Sequence, residues 1–567
     1  MKRIIRYTAG IVIASAMMYS CTGNFEEMNT SGVQVNPGDL PLSAQCAEPL
    51  RYCYPPQQNM FQFWTNLTSD FYGGYFMTPN GNFSNGDMGE NRGHSGGMYE
   101  NHYLHVFNNT RRLIATFDEA GKPGLAGVMR IAQTFSLMMT TDAYGPLAHS
   151  SILSGEYESY YPFDSQQTLY ETMIDDINQA LDGFNKISDG EVADLKVFDD
   201  WCGGDVELWK KICNTMKLRI ALRLSKRESE MSADGYDIKK IAAEAASNTL
   251  ANGGKDILIN KQLENEMWLM FAWGDCGFNA NLVTLMSGFE DPRQPMIMTK
   301  NSKIEKEKIG ADGKPVKDEN DKPVMETILA ANSGYYGIRF ASGLPGKPNP
   351  WGSFSGWISS YTAPLPIFRQ AESYFLLAEA ALRGWISGNV KDLYEEGIKV
   401  AIKNEYAYRK DDAKTVKEPT DTEINAYING LTAQADYVDP IEDKLSAKAV
   451  NHLCVKWDDA AGNEDKLARI ITQKYLALFP LSTEAWAEHR RTGYPVFFAP
   501  VVNESQGNVT SEEGVRRQLY SSNAGDTNAE GLAGGIELLN KENSSKKHTG
   551  DVGGTRVWWD NADKGNF

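Results

Sequence analysis

Gly93-His94-Ser95-Gly96-Gly97 satisfies the spacing G-x-S-x-G, the turn on which serine hydrolases project a nucleophile. That chemistry needs a buried strand immediately before the turn. Residues 80–92 are polar and glycine-rich, with no strand pattern. The spacing therefore predicts a flexible surface loop, with Ser95 not catalytic. His94, His102 and His105 form the one histidine cluster. His102 and His105, at i and i+3, could share a helix face, but zinc wants at least one more ligand and a second shell. Tyr99, Tyr103 and Phe107 around them fit an ordinary helix. Asp175-Asp176 could be imagined as the carboxylates of a glycosidase, but among 74 acidic residues no spacing singles out two. Residues 312–323 are acidic enough to consider a structural Ca²⁺, and their composition fits a turn better. No P-loop, Rossmann or EF-hand pattern occurs. No catalytic residue, metal or cofactor is expected.

What remains is aromatic. The chain has 12 Trp, 26 Tyr and 23 Phe, and many lie outside helical stripes. Flat ring faces suit the apolar C–H faces of sugars, with nearby Asn, Asp and Arg serving the hydroxyls. Three aromatic-bearing segments are candidates: 64–83 with Trp64, Tyr72 and Tyr75; 268–280 with Trp273, Phe278 and Asn279; and 332–366 with Tyr335, Arg339, Trp351 and Trp357. For any single ring the competing reading is that it pins a loop to the body, since large aromatics are usually well buried.

The N-terminus sets the location in which such rings would work. Lys2, Arg3 and Arg6 precede a short apolar run, 11–18, which ends at Ser20-Cys21. The run is too short to span a bilayer. The pattern resembles a bacterial lipobox, so residues 1–20 are expected to be a lipoprotein signal peptide and Cys21 the lipidated N-terminus. An ordinary signal peptide with an incidental cysteine is the competing reading. Residues 21–40, rich in Gly, Asn, Ser, Thr and Pro, read as a tether. The net charge is −18, which disfavours nucleic acid and anionic headgroups as partners, so lipid must do the anchoring. Of the other cysteines, Cys46 and Cys53, or Cys202 and Cys213, are close enough to pair. Buried free thiols are the default for these, Cys276 and Cys454, because a chain of this length has core enough.

Strong helical stripes must position everything else. Apolar residues fall at 128, 131, 132, 135, 138 and 139; at 170, 173, 174, 177, 181 and 184, behind a possible N-cap at Ser165; and at 209, 212, 213, 216, 220 and 224. Strand-like alternation is weak everywhere. Residues 371–404 read as helix, turn, helix, the length and logic of a tetratricopeptide unit, with Ala378, Ala380 and Ala381 allowing close contact. Residues 80–97, 301–326, 332–366 and 500–561 read as long irregular segments.

Several segments resemble the SusD/RagB family of Bacteroidetes outer-membrane lipoproteins. They are Thr141-Asp142-Ala143-Tyr144-Gly145-Pro146-Leu147, Trp209-Lys210-Lys211 with Leu218-Arg219, Asp291-Pro292-Arg293, Tyr374-Phe375-Leu376-Leu377-Ala378-Glu379-Ala380, and Gln473-Lys474-Tyr475-Leu476-Ala477-Leu478-Phe479 followed by Glu484-Ala485-Trp486 and Arg490-Arg491-Thr492-Gly493-Tyr494-Pro495. Taken on their own, the last group reads as structural: Phe479 before Pro480 ends a helix, Gly493 stops the next, and Glu484, Glu488, Arg490 and Arg491 are spaced for helix salt links. The resemblance implies a mostly α, SusD-like fold of tetratricopeptide-like helix pairs with long loops and little β, as a single domain over 41–567. It also implies an outer-membrane, cell-surface lipoprotein. Such a protein is no enzyme; it captures oligosaccharides and delivers them to a SusC-like TonB-dependent transporter. An oligopeptide-binding member of the family is the first alternative, and a secreted hydrolase using Ser95 or a carboxylate pair is the alternative from another class.

Overall fold

The computed structural model describes residues 40–155, 159–259 and 265–567. The signal peptide, Cys21 and all but the last residue of the expected tether lie outside the described residues. The body is mainly helical. Seven helices carry the argument: α1 (Pro123–Tyr144), α2 (Gln166–Asn185), α3 (Val206–Arg223), α4 (Gln370–Leu382), α5 (Val390–Arg409), α6 (Asn463–Leu478) and α7 (Ser482–Thr492). Their ends follow from local chemistry. Pro123 starts α1, where its missing N–H is no loss. Ser165 and Asp205 cap α2 and α3, each accepting a backbone N–H three residues on. Gly493 ends α7 at φ +82°, a conformation that costs an L side chain but not glycine.

The periodic residues turn inward as their spacing requires. Tyr170, Met173, Ile174, Ile177 and Phe184 of α2 are buried against α1, each such side chain contributing about 1.5–3 kcal/mol. The two helices approach closely because Gly183 is small: a Cβ there would lie 2.3 Å from the Pro123 carbonyl oxygen. Helices α4 and α5 form the expected helix–turn–helix, and α6 packs on both. One hydrophobic cluster runs from Cys46 to Trp559. Among the described residues the six cysteines are free thiols, five buried and Cys454 half-buried.

Ion pairs cross-link these helices inside the core. Arg219 of α3 grips Glu372 of α4 at 2.8 and 2.6 Å. Arg223 of α3 reaches Glu484 at 2.6 Å and Glu488 at 3.2 Å on α7. Lys474 of α6 lies 3.1 Å from Glu488. Arg491 of α7 is bidentate on Glu379 of α4, at 2.7 Å twice, and on Glu488 at 2.9 and 2.7 Å. Burial alone would push these carboxyls up. For Glu488, Arg491, Lys474 and Arg223 overcome it and hold the group well below the usual carboxylate range. For Glu484, burial prevails over Arg223, Arg219 and Lys474, and the group sits above that range. Glu484, Glu488 and Arg491 do more than link one helix along its surface: their partners lie on three other helices.

Strands are short. β1 (Phe76–Met77) pairs with β3 (Gly277–Phe278), β2 (Ile257–Ile259) with β6 (Leu365–Phe368), and β4 (Ile304–Glu307) with β5 (Met325–Leu329), all antiparallel. Two segments expected to be irregular are ordered. Residues 301–326 mostly form the β4–β5 hairpin, whose arms continue through the bridges Ile309–Pro315 and Lys317–Pro323. The alternation is weak because both faces are charged and exposed. Within 500–561 lies a helix, Ala529–Glu542, with Leu539 buried beneath it. Among the described residues no helix is long and apolar enough to cross a membrane.

Candidate ligand-binding site

The three candidate segments converge, 64–83 only through Pro79. The turn after the helix Glu266–Ala272, strand β3 and residues 351–357 enclose a cleft of about 320 Å³, within the roughly 300–1,000 Å³ typical of ligand sites. Its walls carry Trp268, Phe271, Trp351, Phe354 and Trp357, with Thr299, Ser302 and Ser355 supplying hydroxyls. Phe271 and Trp357 stack with centroids 5.8 Å apart and planes 28° apart. The Arg409 guanidinium sits 4.5 Å over the Trp357 ring, and the buried Trp357 indole N–H has no hydrogen-bond partner. The Trp351 indole N–H instead donates to Asp439 at 3.0 Å.

Trp273 is set just behind Gly274, a cleft residue, and is 39 % exposed. Its loop is pinned by Lys347, whose ammonium donates to the Trp273 carbonyl at 2.8 Å and to Asp275 at 2.5 Å, and by Asn80, which also donates to Asp275. Trp268 meets the exposed ring of Tyr361 edge-on at 5.1 Å. The rings with open faces are thus Trp268, Phe271, Trp273 and Tyr361. Of these, the sequence reading had singled out only Trp273. Trp268 and Phe271 sit on one helix three apart, a spacing that signals a helix face and says nothing of a cleft.

The other expected residues are placed differently. Phe278 is fully buried among Phe76, Phe271 and Phe479. Asn279 is the buried N-cap of the helix Ala280–Phe289, accepting the Asn281 N–H at 2.9 Å. Trp64 lies on a helical turn against Tyr54 and Phe61 and is buried. Tyr75 is fully buried and donates to the Tyr475 carbonyl. A ring or amide without exposed surface offers a ligand no face, so these four support the loops. The spacing of Phe61, Trp64, Leu67 and Phe71 carried that signal. Tyr335 is half-buried beneath Lys300. Arg339 donates its two terminal nitrogens to the carbonyls of Leu445, Ser446 and Ala499, clamping three loops together. Tyr72 faces a second, larger cleft of about 870 Å³.

The residues considered for catalysis are also accounted for. Ser95 closes a short helix, and its carbonyl accepts the Tyr144 hydroxyl; the segment before it is a 3₁₀ turn, Ser84–Asp87, not a strand. The three histidines separate: His94 bonds Asn85 at 2.8 Å, His102 is buried on Ser136 at 2.9 Å, and His105 bonds Glu48 at 3.0 Å while stacking on Tyr52. Burial pushes His102 down to about 3, so its ring is neutral. Asp312 and Asp318 accept backbone N–H groups of the hairpin turns. Among the described residues no three His, Cys, Asp or Glu side chains gather as a metal set.

The segments carrying the family resemblance contribute to the buried ion pairs: Asp142, Arg219, Glu379, Lys474, Glu484 and Arg491 all lie in them, and Asp291 and Arg293 form their own bidentate pair at 2.9 and 2.6 Å. The SusD-like family model, "Susd and RagB outer membrane lipoprotein", matches residues 24–560. The chain belongs to the SusD-like family. It is similar to a chitin-binding SusD homologue from Flavobacterium johnsoniae, at 27 % identity and TM-score 0.77, over 93 % of this chain and 100 % of that one. A SusD homologue from Bacteroides thetaiotaomicron matches at 26 % and 0.74, over 92 % and 99 %, and one from Bacteroides vulgatus at 23 % and 0.76, over 93 % and 98 %. No curated protein matches the chain. The SusD-like fold therefore extends from the first described helices to the C-terminal segment, and the family is one of outer-membrane lipoproteins.

Proposed function

We propose that this SusD-like protein is a non-catalytic capture protein for oligosaccharides. It is lipidated at Cys21, held on the cell surface as one domain over 41–567, and hands its ligand to a SusC-like TonB-dependent transporter. The observation that carries the reading is the aromatic cleft, where Trp268, Phe271 and Trp357 line the walls and Trp273 stands exposed beside them on a loop fixed by Lys347 and Asn80. Rings held by turns offer stacking faces at little ordering cost. The exposed Thr299 and Ser302 hydroxyls serve sugar hydroxyls. The site residues we assign are Trp273, Trp268 and Phe271 as stacking rings, with Trp357 and Trp351 as the walls that Arg409 and Asp439 hold in place. The chitin-binding relative makes N-acetylglucosamine oligomers the first ligands to try.

Affinity electrophoresis through gels containing single glycans tests this. The protein is expected to be retarded by at least one glycan whose chain length is unchanged after overnight incubation. Shortening of the glycan would establish a hydrolase instead. Retention by a peptide array with no glycan retarding the protein would establish the oligopeptide reading.

A further inference from the structure

The 870 Å³ cleft has a different character from the aromatic one. It lies between α7, the segment 496–500, residues 511–516 and the C-terminal residues 556–566. In a chain of net charge −18, its lining carries seven Lys and Arg against five Asp and Glu. Besides the exposed Lys564, two of those cations make no ion pair among the described residues. Arg490, buried, donates to the carbonyls of Asp142 and Arg516 and lies 3.7 Å over the Trp486 ring, with its second terminal nitrogen unpartnered. Lys226 is half-buried; its carbonyl accepts from Asn561, but its ammonium makes no ion pair and lies among Arg491, Arg516, Arg556 and the carboxylate of Asp560. The facing carboxylate, Asp560, is already shared, at 2.6 Å from Arg516 and 2.6 Å from Arg556. Glu513 is likewise taken by Lys547 at 2.7 Å.

An unpaired ammonium in such a place is unfavourable unless something anionic comes to it. Burial, reinforced by Arg491 and only partly opposed by Asp560, pushes Lys226 down to about 8. Beside the cations stand a half-buried ring, Phe497, stacked on His489 at 4.1 Å, and Tyr72. Asn281, Asn561 and Asn566 add amides. Aromatic faces, amides and guanidinium groups around one free ammonium fit a sugar ring that bears an oxyanion.

We propose that this cleft is a second binding site, separate from the aromatic one, for an acidic sugar whose carboxylate or sulfate ester pairs with Lys226 between Arg516 and Arg556. Binding the oxyanion gives the Lys226 ammonium the close partner it lacks. It explains why an acidic chain keeps a cationic recess open beside its C-terminal segment.

Calorimetric titration at fixed ionic strength tests it with three disaccharides of one size: neutral, glucuronate-containing and sulfated. The uronate and sulfate arms tell which oxyanion the site takes. The parent protein is expected to bind at least one acidic disaccharide tenfold or more tighter than the neutral one. Lys226→Met, which keeps the stem and removes the charge, should abolish that preference without changing the melting temperature, and Lys226→Arg should retain it. Trp273→Ala, which weakens the aromatic cleft, should leave an acidic preference in place. The proposal is overturned if the parent shows no preference, if folded Lys226→Met binds the acidic sugars as the parent does, or if Trp273→Ala removes the preference along with Lys226→Met. Tighter binding of tetraglutamate than of any acidic sugar would overturn the assignment to a carbohydrate.

Discussion

Arg491→Met should destabilise the protein sharply. The methionine keeps most of the apolar stem and removes four short contacts, two to Glu379 and two to Glu488. Breaking a buried pair by removing one partner costs about 3–5 kcal/mol, because it strands the other charge. Here Glu488 keeps Lys474 at 3.1 Å and Arg223 at 3.2 Å, and Glu379 keeps Arg383 at 2.8 Å. The loss should therefore fall near the lower end, about 3 kcal/mol. At about 2.1 cal/mol/K per residue, unfolding a body of this size carries roughly 1.1 kcal/mol/K, so the melting temperature should drop by about 3 °C. Adding Glu379→Gln should recover none of that, since it also takes the carboxylate from Arg383. Lys186→Met, which breaks an exposed pair at 2.5 Å, should shift melting by a small fraction of this. Differential scanning calorimetry reads all three. An Arg491→Met protein that melts with the parent would refute the reasoning that α4, α6 and α7 are joined by an uncompensated-when-broken ion cluster.

Further outcomes follow from the same physics. Burial pushes Asp176 up to about 7, against the opposing pull of Arg130. Its folded value thus lies above its unfolded value, so its protonated form favours the fold: that contribution is full below about pH 4 and is lost as pH rises through about 7. Asp176→Asn should lessen the fall in melting temperature between pH 5 and 8; an unchanged slope would contradict the assignment. Cys21→Ala should release the protein from membranes, and a mutant that stays in the pellet after a carbonate wash would disprove the lipid anchor. A fluorophosphonate probe should leave the protein unlabelled, since no strand precedes Ser95; labelling at Ser95 would show a hydrolase.

The helices were legible because their signals are local. The stripes at 128–139, 170–184 and 209–224, the cap at Ser165 and the stop at Gly493 all follow from spacing and backbone chemistry within a few residues. The helix Ala529–Glu542 was missed because three glycines, Gly531, Gly534 and Gly535, dilute its stripe. The β4–β5 hairpin was missed because strand alternation marks a buried face, and this hairpin has almost none. The motif residues carried more than their spacing said: Glu488 and Arg491 do link along one helix, but Glu484, Glu488 and Arg491 also pair with Arg223 and Glu379, more than 100 residues away in the chain. The candidate site was legible at the level of segments. Residues 268–280 and 351–357 do meet. Which ring keeps a free face depends on what packs behind it, so Phe278 sinks into the core and Trp273, five residues earlier, stays exposed.

The central claim is that ligand is held by the exposed rings of the aromatic cleft. Its most direct test is calorimetric titration of the parent, Trp273→Ala and Trp268→Ala with whichever oligosaccharide retards the parent in gels, with circular dichroism to check folding. Each stacking ring lost should cost about 1–3 kcal/mol, by analogy with rings stacked on bases, or roughly five- to 150-fold in affinity. The account predicts a loss of at least that lower bound in Trp273→Ala, with the fold intact. Both variants folding and binding like the parent would contradict it.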